Sequence, residues 1–299
     1  MNEYRRTKIG FIGLGLMGSA MVQRLQALGY PLNVVAHRQR ASIDAAVGQG
    51  AVELQTPGEV TAASEIVMLC VDNSNSVEAI MRGENGVLST LDTHQLVIDF
   101  GTSLPSSTTA LAASCRDQGA AMMDAPLGRT PAHAVDGLLN IMAAGTPEDF
   151  ARVKPILEDL GEHVFYVGPV GSGHTLKIIN NFFAMTTACA MSEAFAMADR
   201  AGLTREMLYE VMAAGPNKSG MMDFIKAAAV DGKPEQLAFS IGNGRKDVGY
   251  YTKMAGDLHA SSFIAPSVES VLNAADTAGW GDRYVSEMVD FIAGTLAHD

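Results

Sequence analysis

The chain has 299 residues, 47% of them hydrophobic and 18% charged, and carries a formal net charge of −12. Because single domains usually hold about 100 to 200 residues, this length predicts two domains. The negative charge argues against a nucleic-acid partner, since phosphate binding depends on clustered lysine and arginine. No uninterrupted apolar stretch approaches the roughly 18 residues that a membrane span needs, so a membrane partner is not expected either.

The cysteines and histidines carry little signal. The three cysteines, Cys70, Cys115 and Cys189, lie far apart and form no CxxC pair. A disulfide framework or a cysteine zinc site therefore has no support, and a reducing, cytoplasmic location is expected. The seven histidines show no HExxH or similar ligand spacing, which argues against metal catalysis. These features favour a small molecule as the partner.

The first predicted strand, over residues 8–12, leads into a glycine-rich turn and then into a periodic helical stretch that ends near Leu28. A second apolar run over residues 32–36 completes a βαβ unit of about 30 residues. The turn matches the GxGxxG fingerprint of dinucleotide-binding folds, whose glycines permit a tight turn, the approach of pyrophosphate and close helix packing. Its position between strand and helix favours this interpretation over a plain glycine-rich turn. The predicted cofactor-binding residues are Gly13, Leu14, Gly15, Leu16, Met17 and Gly18.

The choice between NAD and NADP is expected about 20 residues further on. NAD enzymes place an Asp or Glu there, on the ribose 2′-hydroxyl. This chain has no carboxylate in that segment before Asp44, whereas Arg38 and Arg40 could bind a 2′-phosphate through charge-assisted hydrogen bonds. The sequence therefore favours NADP, with Arg38 as a cofactor-binding residue; two merely solvated arginines are the alternative.

Further strands are predicted from apolar runs near residues 66–71, 96–100, 121–125 and 138–143, with helical stretches between them. Strands that alternate with helices are typical of a parallel sheet. Two of the helices have clear N-terminal signals, at Thr56 and Thr146, each followed by proline and acidic residues. We expect an α/β domain of the Rossmann type, with a doubly wound parallel sheet.

The loop after the predicted strand 121–125 reads Asp124-Ala125-Pro126-Leu127-Gly128-Arg129-Thr130. It would lie at the carboxyl end of a strand, where open α/β sheets bind ligands. Arg129 is predicted to bind an anionic part of the substrate, and the Gly128 backbone and the Thr130 hydroxyl to complete that site. A surface arginine in a turn is the alternative.

From Gly171 to Ala201 the chain is apolar on nearly all sides, which predicts a long helix covered by other protein. Lys177 lies three residues before Asn180 and four before Asn181, so these polar groups project from one side of the helix. A lysine that loses hydration has a lowered pKa and is suited to proton transfer, whereas a solvated lysine is not. We predict that Lys177 and Asn181 are catalytic and that Asn180 binds substrate.

After about residue 168 no convincing strand remains, and the chain looks helical to its end. The predicted organisation is a dinucleotide-binding domain over residues 1–168 and an all-α C-terminal domain for substrate binding and oligomerisation over residues 169–299. The long interdomain helix begins the second domain.

The chain resembles the β-hydroxyacid dehydrogenases, the family of the 3-hydroxyisobutyrate dehydrogenases, over almost its whole length. Four motifs carry the resemblance: the glycine turn, Asp99-Phe100-Gly101-Thr102, the Asp124 loop with Gly137, and Gly171 to Asn181. The resemblance implies an NAD(P)-dependent oxidoreductase that transfers hydride between a nicotinamide cofactor and a small anionic β-hydroxyacid or semialdehyde. It also implies a homodimer or homotetramer.

Residue roles follow from the same resemblance. Lys177 is implied to be the catalytic lysine, with Asn181 as its helper. The implied cofactor contacts outside the glycine turn are Val71, Asp72, Thr102 and Lys246.

The chain departs from the common family pattern in its substrate loop. Where the family commonly reads Ser-Gly-Gly, this chain has Gly128-Arg129-Thr130 and resembles the branch that contains sulfolactaldehyde and succinic semialdehyde reductases. An arginine there suits a doubly charged or sulfonated substrate. That branch carries a serine where this chain has Ala184, and it prefers NAD, so the substrate stays open.

Two other functions remain as alternatives. Imine reductases are built on a similar scaffold and generally lack the lysine, and non-catalytic dehydrogenase-like scaffolds lose it as well. The presence of Lys177 therefore argues against both. His133 and His174 lie near the motifs and are interpreted as ordinary polar residues of a loop or helix.

Overall fold

The structure, a computed structural model, describes residues 3–36 and 40–296. It separates into two compact units, Met1–Lys177 and Ile178–Asp299.

The first unit is built on a six-stranded parallel sheet. Its strands are β1 Ile9–Ile12, β2 Leu32–Val35, β3 Val52–Leu54, β4 Ile66–Leu69, β5 Leu96–Asp99 and β6 Ala121–Asp124. They lie in the order β3-β2-β1-β4-β5-β6, which is the Rossmann arrangement. The connecting helices are α1 Leu16–Ala27, α2 Arg40–Gly48, α3 Pro57–Ala62, α4 Ser74–Arg82 and α5 Pro105–Asp117. The predicted doubly wound sheet is confirmed.

Both faces of this sheet are buried. Phe11 and Ile98 belong to the apolar cluster on one face, and Ile12 and Val97 to the cluster on the other. A strand covered on both sides needs apolar residues at every position, which is why these strands read as continuous apolar runs.

A smaller, three-stranded sheet follows in the same unit. It consists of β7 Leu127–Gly128, β8 Leu139–Ala143 and β9 Gly161–Tyr166, with helices α6 Pro131–Asp136 and α7 Pro147–Leu160 between them. Strand β8 runs antiparallel to β7 and parallel to β9, so the strand predicted near 138–143 lies outside the main parallel sheet. The chain reverses direction after β7, and Arg129 and Gly137 in that segment have left-handed backbone conformations. The alternation of strands and helices along the sequence does not indicate this reversal.

The second unit contains helices and, among the described residues, no strand beyond an isolated bridge. Helix α8 Ser172–Arg200 enters it from the first unit, and the others are α9 Arg205–Ala213, α10 Gly220–Ala229, α11 Ile241–Asp257, α12 Ala265–Ala275 and α13 Met288–Thr295. Its core includes the fully buried side chains of Phe195, Met222 and Leu272. Within residues 3–36 and 40–296, no helix combines the length and the hydropathy required to cross a membrane.

Helix α8 differs from its prediction in one respect. It spans nearly the expected residues, but it is not covered on all sides, because Ile179, Phe183 and Met197 are exposed, Phe183 by 72%. At about 100° per residue these three lie on one face, roughly opposite to Lys177 and Asn181. The helix therefore has one face that carries Lys177 and Asn181 and an opposite, exposed apolar face.

Candidate active site

Four strands of the main sheet end side by side. Their register aligns Ile12 with Leu69, Leu69 with Asp99, and Asp99 with Asp124. The glycine turn after β1, the Val71-Asp72 turn after β4, the Thr102 turn after β5 and the Asp124 loop after β6 therefore leave the sheet at one edge. This carboxyl edge is where open α/β sheets bind ligands.

The glycine turn has the shape that a dinucleotide pyrophosphate requires. Gly13 has φ +103°, and a Cβ there would lie 2.3 Å from the carbonyl oxygen of Cys70. A Cβ on Gly18 would lie 1.9 Å from the Gly13 carbonyl oxygen, whereas a Cβ on Gly15 would meet nothing within 4 Å. Gly15 is the N-cap residue of helix α1 and has no side chain. The first backbone amides of the helix therefore have no side-chain acceptor from that position. The residues of the glycine turn therefore fit the pyrophosphate of a dinucleotide.

The side chains of the other fingerprint residues differ in exposure. Leu14 belongs to the buried core, Met17 packs against that core, and Leu16 is 76% exposed. Contacts from Leu14 to a cofactor would have to come from its backbone.

The turn that holds Thr102 touches the neighbouring turns. A Cβ on Gly101 would lie 2.9 Å from the carbonyl oxygen of Val71, and a Cβ on Gly13 would lie 2.7 Å from the Val71 side chain. Asp99 shapes the turn, because its carboxylate accepts hydrogen bonds from the Gly101 amide at 2.8 Å and the Ser103 hydroxyl at 2.8 Å. The predicted cofactor residues Val71, Asp72 and Thr102 are therefore brought next to the glycine turn.

The two arginines predicted to select NADP have different outcomes. Arg38 lies outside the described residues. The Arg40 guanidinium donates to both carboxylate oxygens of Glu53, at 2.6 and 2.7 Å, and to Asp44 at 2.7 Å. Glu53 comes from β3, where it is aligned with Val34 of β2. The residues near Arg40 in sequence did not indicate this pair, because Glu53 lies on the neighbouring strand β3.

The predicted substrate loop is tied to the smaller sheet. Arg129 donates to the Leu138 carbonyl oxygen at 2.7 Å and to the Glu162 carboxylate at 2.5 Å. Arg129 lowers the pKa of Glu162 below its usual value. The Thr130 hydroxyl lies 2.7 Å from Nδ1 of His133, and Gly128 packs beside Asn140. Arg129 thus already has an anionic partner, in a partly exposed pair that stabilises the fold little.

The helix that carries Lys177 begins at the carboxyl edge of the main sheet. The Asp124 carboxylate accepts hydrogen bonds from the backbone amides of Gly171 at 2.6 Å and His174 at 2.7 Å. Gly173 allows this approach, since a Cβ there would lie 2.4 Å from the Met142 carbonyl oxygen. Lys177 follows one turn later and is partly buried. The geometry therefore brings the lysine helix to the edge that holds the glycine turn.

In the second unit, Asn181 is held by a residue that the sequence analysis passed over. Asn181 is buried, and its Nδ2 donates to Oδ2 of Asp247 at 2.6 Å. Lys246 Nζ lies 3.1 Å from the other oxygen of the Asp247 carboxylate. The exposed Asn180 donates to Oδ1 of Asn181 at 3.2 Å. The only sequence signal for Asp247 was its position directly after Lys246.

The fold and the glycine turn are typical of dinucleotide-binding proteins, and comparisons with known proteins narrow the class. A family profile described as the NAD binding domain of 6-phosphogluconate dehydrogenase matches residues 8–168. A second, described as the NAD-binding domain of NADP-dependent 3-hydroxyisobutyrate dehydrogenase, matches residues 171–292. The 3-sulfolactaldehyde reductase of Escherichia coli (strain K12) is 33% identical over 295 residues, which cover 97% of this chain and 98% of that protein.

Solved structures are similar over the same length. Psf3, solved in complex with NADP+ and 2-OPP, has a TM-score of 0.83 and 25% identity and covers 95% of this chain and 99% of its own. An imine reductase from Myxococcus stipitatus has a TM-score of 0.64 at 19% identity, with 95% and 99% covered, and shares the fold alone. The chain belongs to the β-hydroxyacid dehydrogenase family and is an NAD(P)-dependent oxidoreductase.

Proposed function

We propose that this protein reduces a small aldehyde that carries a second, anionic group, such as a sulfolactaldehyde-like or succinic-semialdehyde-like compound, and that Lys177 transfers the proton. The observation that carries the proposal is the attachment of the lysine helix to Asp124. It places the start of that helix at the same sheet edge as the glycine turn. The 3-sulfolactaldehyde reductase relative supports the substrate class.

The nicotinamide cofactor, when bound, supplies the hydride for the carbonyl carbon. Lys177 donates a proton to the carbonyl oxygen as negative charge develops there, and in the reverse direction the neutral lysine accepts it. Asn181, held by Asp247, orients the ammonium group of Lys177. Lys246 contacts the cofactor, as do Val71, Asp72 and Thr102.

The anionic group of the substrate is bound by the loop from Gly128 to Thr130. The guanidinium of Arg129 is planar and binds carboxylate or sulfonate oxygens through two parallel N–H donors. Its present partner, Glu162, is nearly half exposed, so exchange of that carboxylate for a substrate anion costs little. The Gly128 backbone, the Thr130 hydroxyl and the exposed side chain of Asn180 complete the contacts.

NADP is proposed as the preferred cofactor. The segment after β2 offers Arg38 and no carboxylate before Asp44, and the family profile that matches residues 171–292 is described for NADP-dependent enzymes. Because Arg40 is paired with Glu53 and Asp44, Arg38 is the arginine that we assign to the 2′-phosphate.

A substrate screen tests the function. Sulfonate and carboxylate semialdehydes are compared with NADPH and NADH, and we expect the highest kcat/KM for a doubly anionic or sulfonated aldehyde with NADPH. The same screen includes cyclic imines, which test the imine reductase alternative. Cofactor binding without turnover of any anionic aldehyde would instead favour a non-catalytic scaffold and refute the proposal.

Replacement of the lysine tests its role. We expect Lys177→Ala to lower kcat by about 100-fold or more, because general acid catalysis contributes about that much, while NADPH binding is retained. The control is Lys154→Ala, at an exposed lysine of α7 paired with Glu158, which should leave kcat unchanged. Near-normal turnover by Lys177→Ala removes the lysine from the mechanism.

A further inference from the structure

The first unit contains a buried cluster of one histidine and two carboxylates that the proposed chemistry does not use. His174, Asp99 and Asp124 are each fully buried. Nε2 of His174 lies 3.7 Å from Asp99 Oδ2, and Nδ1 lies 3.8 Å from Asp124 Oδ2. No group of three or more His, Cys, Asp and Glu side chains in the described part of the chain is arranged to hold a metal ion. Burying a histidine and two carboxylates together costs free energy, so the cluster needs a structural or functional reason.

The two ring nitrogens of His174 have different surroundings. Nδ1 lies 2.7 Å from the Thr108 hydroxyl oxygen on α5. The same hydroxyl oxygen lies 3.1 Å from the Leu104 carbonyl oxygen, so it joins His174 to the start of α5. Nε2 has no hydrogen-bond partner among residues 3–36 and 40–296 and faces the Asp99 carboxylate. The ring is therefore held at Nδ1 and directed toward Asp99.

Each carboxylate of the cluster organises a different part of the candidate site. Asp99 binds the Gly101 amide and the Ser103 hydroxyl, which flank Thr102. Asp124 binds the first amides of the helix that leads to Lys177. His174 is the side chain that lies against both. Burial raises the pKa of Asp124, and the nearby His174 and the two backbone amides oppose this rise.

We propose that His174 is a positioning residue that ties the turn of Thr102 to the start of the lysine helix, and so sets the place of Lys177 relative to the cofactor turn. The inference rests on the proposed role of Lys177. A lysine displaced by a fraction of an ångström still permits substrate binding but transfers the proton poorly, because reacting groups must be closely aligned. Loss of the tie should therefore lower kcat and leave KM nearly unchanged.

Two substitutions separate a polar tie from simple packing. His174→Asn keeps a polar group near the position of Nδ1 that can hydrogen-bond to the Thr108 hydroxyl, and His174→Leu fills a volume closer to that of histidine without any polar atom. We expect His174→Leu to lower kcat about 30-fold with KM for aldehyde and Kd for NADPH within about threefold of wild type, and His174→Asn to recover most of the lost kcat. If leucine supports turnover as well as asparagine or better, His174 is a packing residue and the proposal is wrong.

A measurement without catalysis tests the same tie. Hydrogen exchange in the absence of cofactor should be faster over residues 171–177 and 100–103 in His174→Leu than in His174→Asn. Thr108→Val, which keeps the histidine but removes its hydrogen-bond partner, should show the same change to a smaller extent, and it tests the idea even if His174→Leu does not fold. Unchanged exchange at both segments in the folded variants overturns the inference.

The two proposals can fail separately. If Lys177→Ala is as active as wild type, the proposed role of the lysine is wrong, and the exchange data alone then decide whether His174 joins the two segments. If Lys177→Ala is inactive and His174→Leu has normal kcat, only the positioning role of His174 is wrong.

Discussion

At the scale of single residues, Arg129 combines an ion pair within the fold with a proposed role in substrate binding. Its sequence neighbourhood predicts an anion-binding arginine, and the structure pairs it with Glu162, which lies on another strand. The pair is partly exposed, so its contribution to stability is small. If Arg129 binds the substrate as proposed, Glu162 competes with the substrate anion for its guanidinium.

Removal of that competitor should be measurable. We expect Glu162→Gln to lower KM for a doubly anionic aldehyde about threefold, because Arg129 is no longer neutralised, and Arg129→Met to raise it about 30-fold. Steady-state kinetics on the substrate identified by the screen provide the test.

Glu158→Gln is the matched control, since Glu158 is an exposed glutamate that pairs with Lys154 instead. Should Glu162→Gln leave KM unchanged while Arg129→Met raises it, Glu162 does not compete. If both leave KM unchanged, the substrate anion binds elsewhere.

At the scale of secondary-structure elements, the β1–α1 turn assigns different tasks to its glycines. Gly13 and Gly18 are required by the fold, since a Cβ on either would collide with a backbone carbonyl oxygen. Gly15 has an ordinary backbone conformation, and a Cβ there would meet nothing within 4 Å. The fold therefore does not require a glycine at this position, whereas a ligand that approaches the backbone does.

This difference gives a matched pair of variants. Gly15→Ala should leave the thermal unfolding midpoint unchanged and raise the Kd for NADPH about tenfold, because the methyl group occupies the approach of the pyrophosphate. Gly13→Ala should lower the free energy of unfolding by roughly 1–3 kcal/mol, because it forces alanine into a strained conformation. Calorimetry measures the unfolding midpoint and free energy, and a fluorescence titration measures the Kd for NADPH. Tight NADPH binding by a folded Gly15→Ala protein would place the pyrophosphate elsewhere.

At the scale of the whole molecule, the exposed apolar face of α8 bears on the state of association. Ile179, Phe183 and Met197 form a stripe on the side of the helix away from Lys177. Exposed apolar side chains that share one helix face, such as the neighbouring Ile179 and Phe183, are typical of protein interfaces. A second copy of the chain can cover such a stripe with its own, since a two-fold interface pairs a surface with itself.

We therefore predict that the protein is a homo-oligomer and that Phe183→Asp lowers its mass in solution, because a charge would be buried in the interface. Light scattering coupled to size-exclusion chromatography measures the mass. Phe263→Asp is the control, since Phe263 is 93% exposed but lies outside the stripe. A wild-type protein that is monomeric at micromolar concentration contradicts the prediction.

Much of the fold could be predicted from local sequence because its signals are local. The glycine turn, five of the six strands of the main sheet and the span of α8 each follow from residues within about 30 positions of one another, through backbone conformation and apolar periodicity. The short edge strand β3 was not predicted. The family resemblance then assigned roles to Lys177, Asn181 and Thr102, and those roles stay predictions.

The tertiary structure alone decided which distant groups meet. Glu53 pairs with Arg40, Glu162 with Arg129, and Asp247 with Asn181, and in each pair the partner comes from another element. His174 looked like an ordinary helix residue, because nothing near it in sequence shows that strands β5 and β6 end with carboxylates on either side of its ring. Local patterns specify the conformation of a segment, whereas the neutralisation of a buried or paired charge depends on through-space distance, which only the packed chain determines.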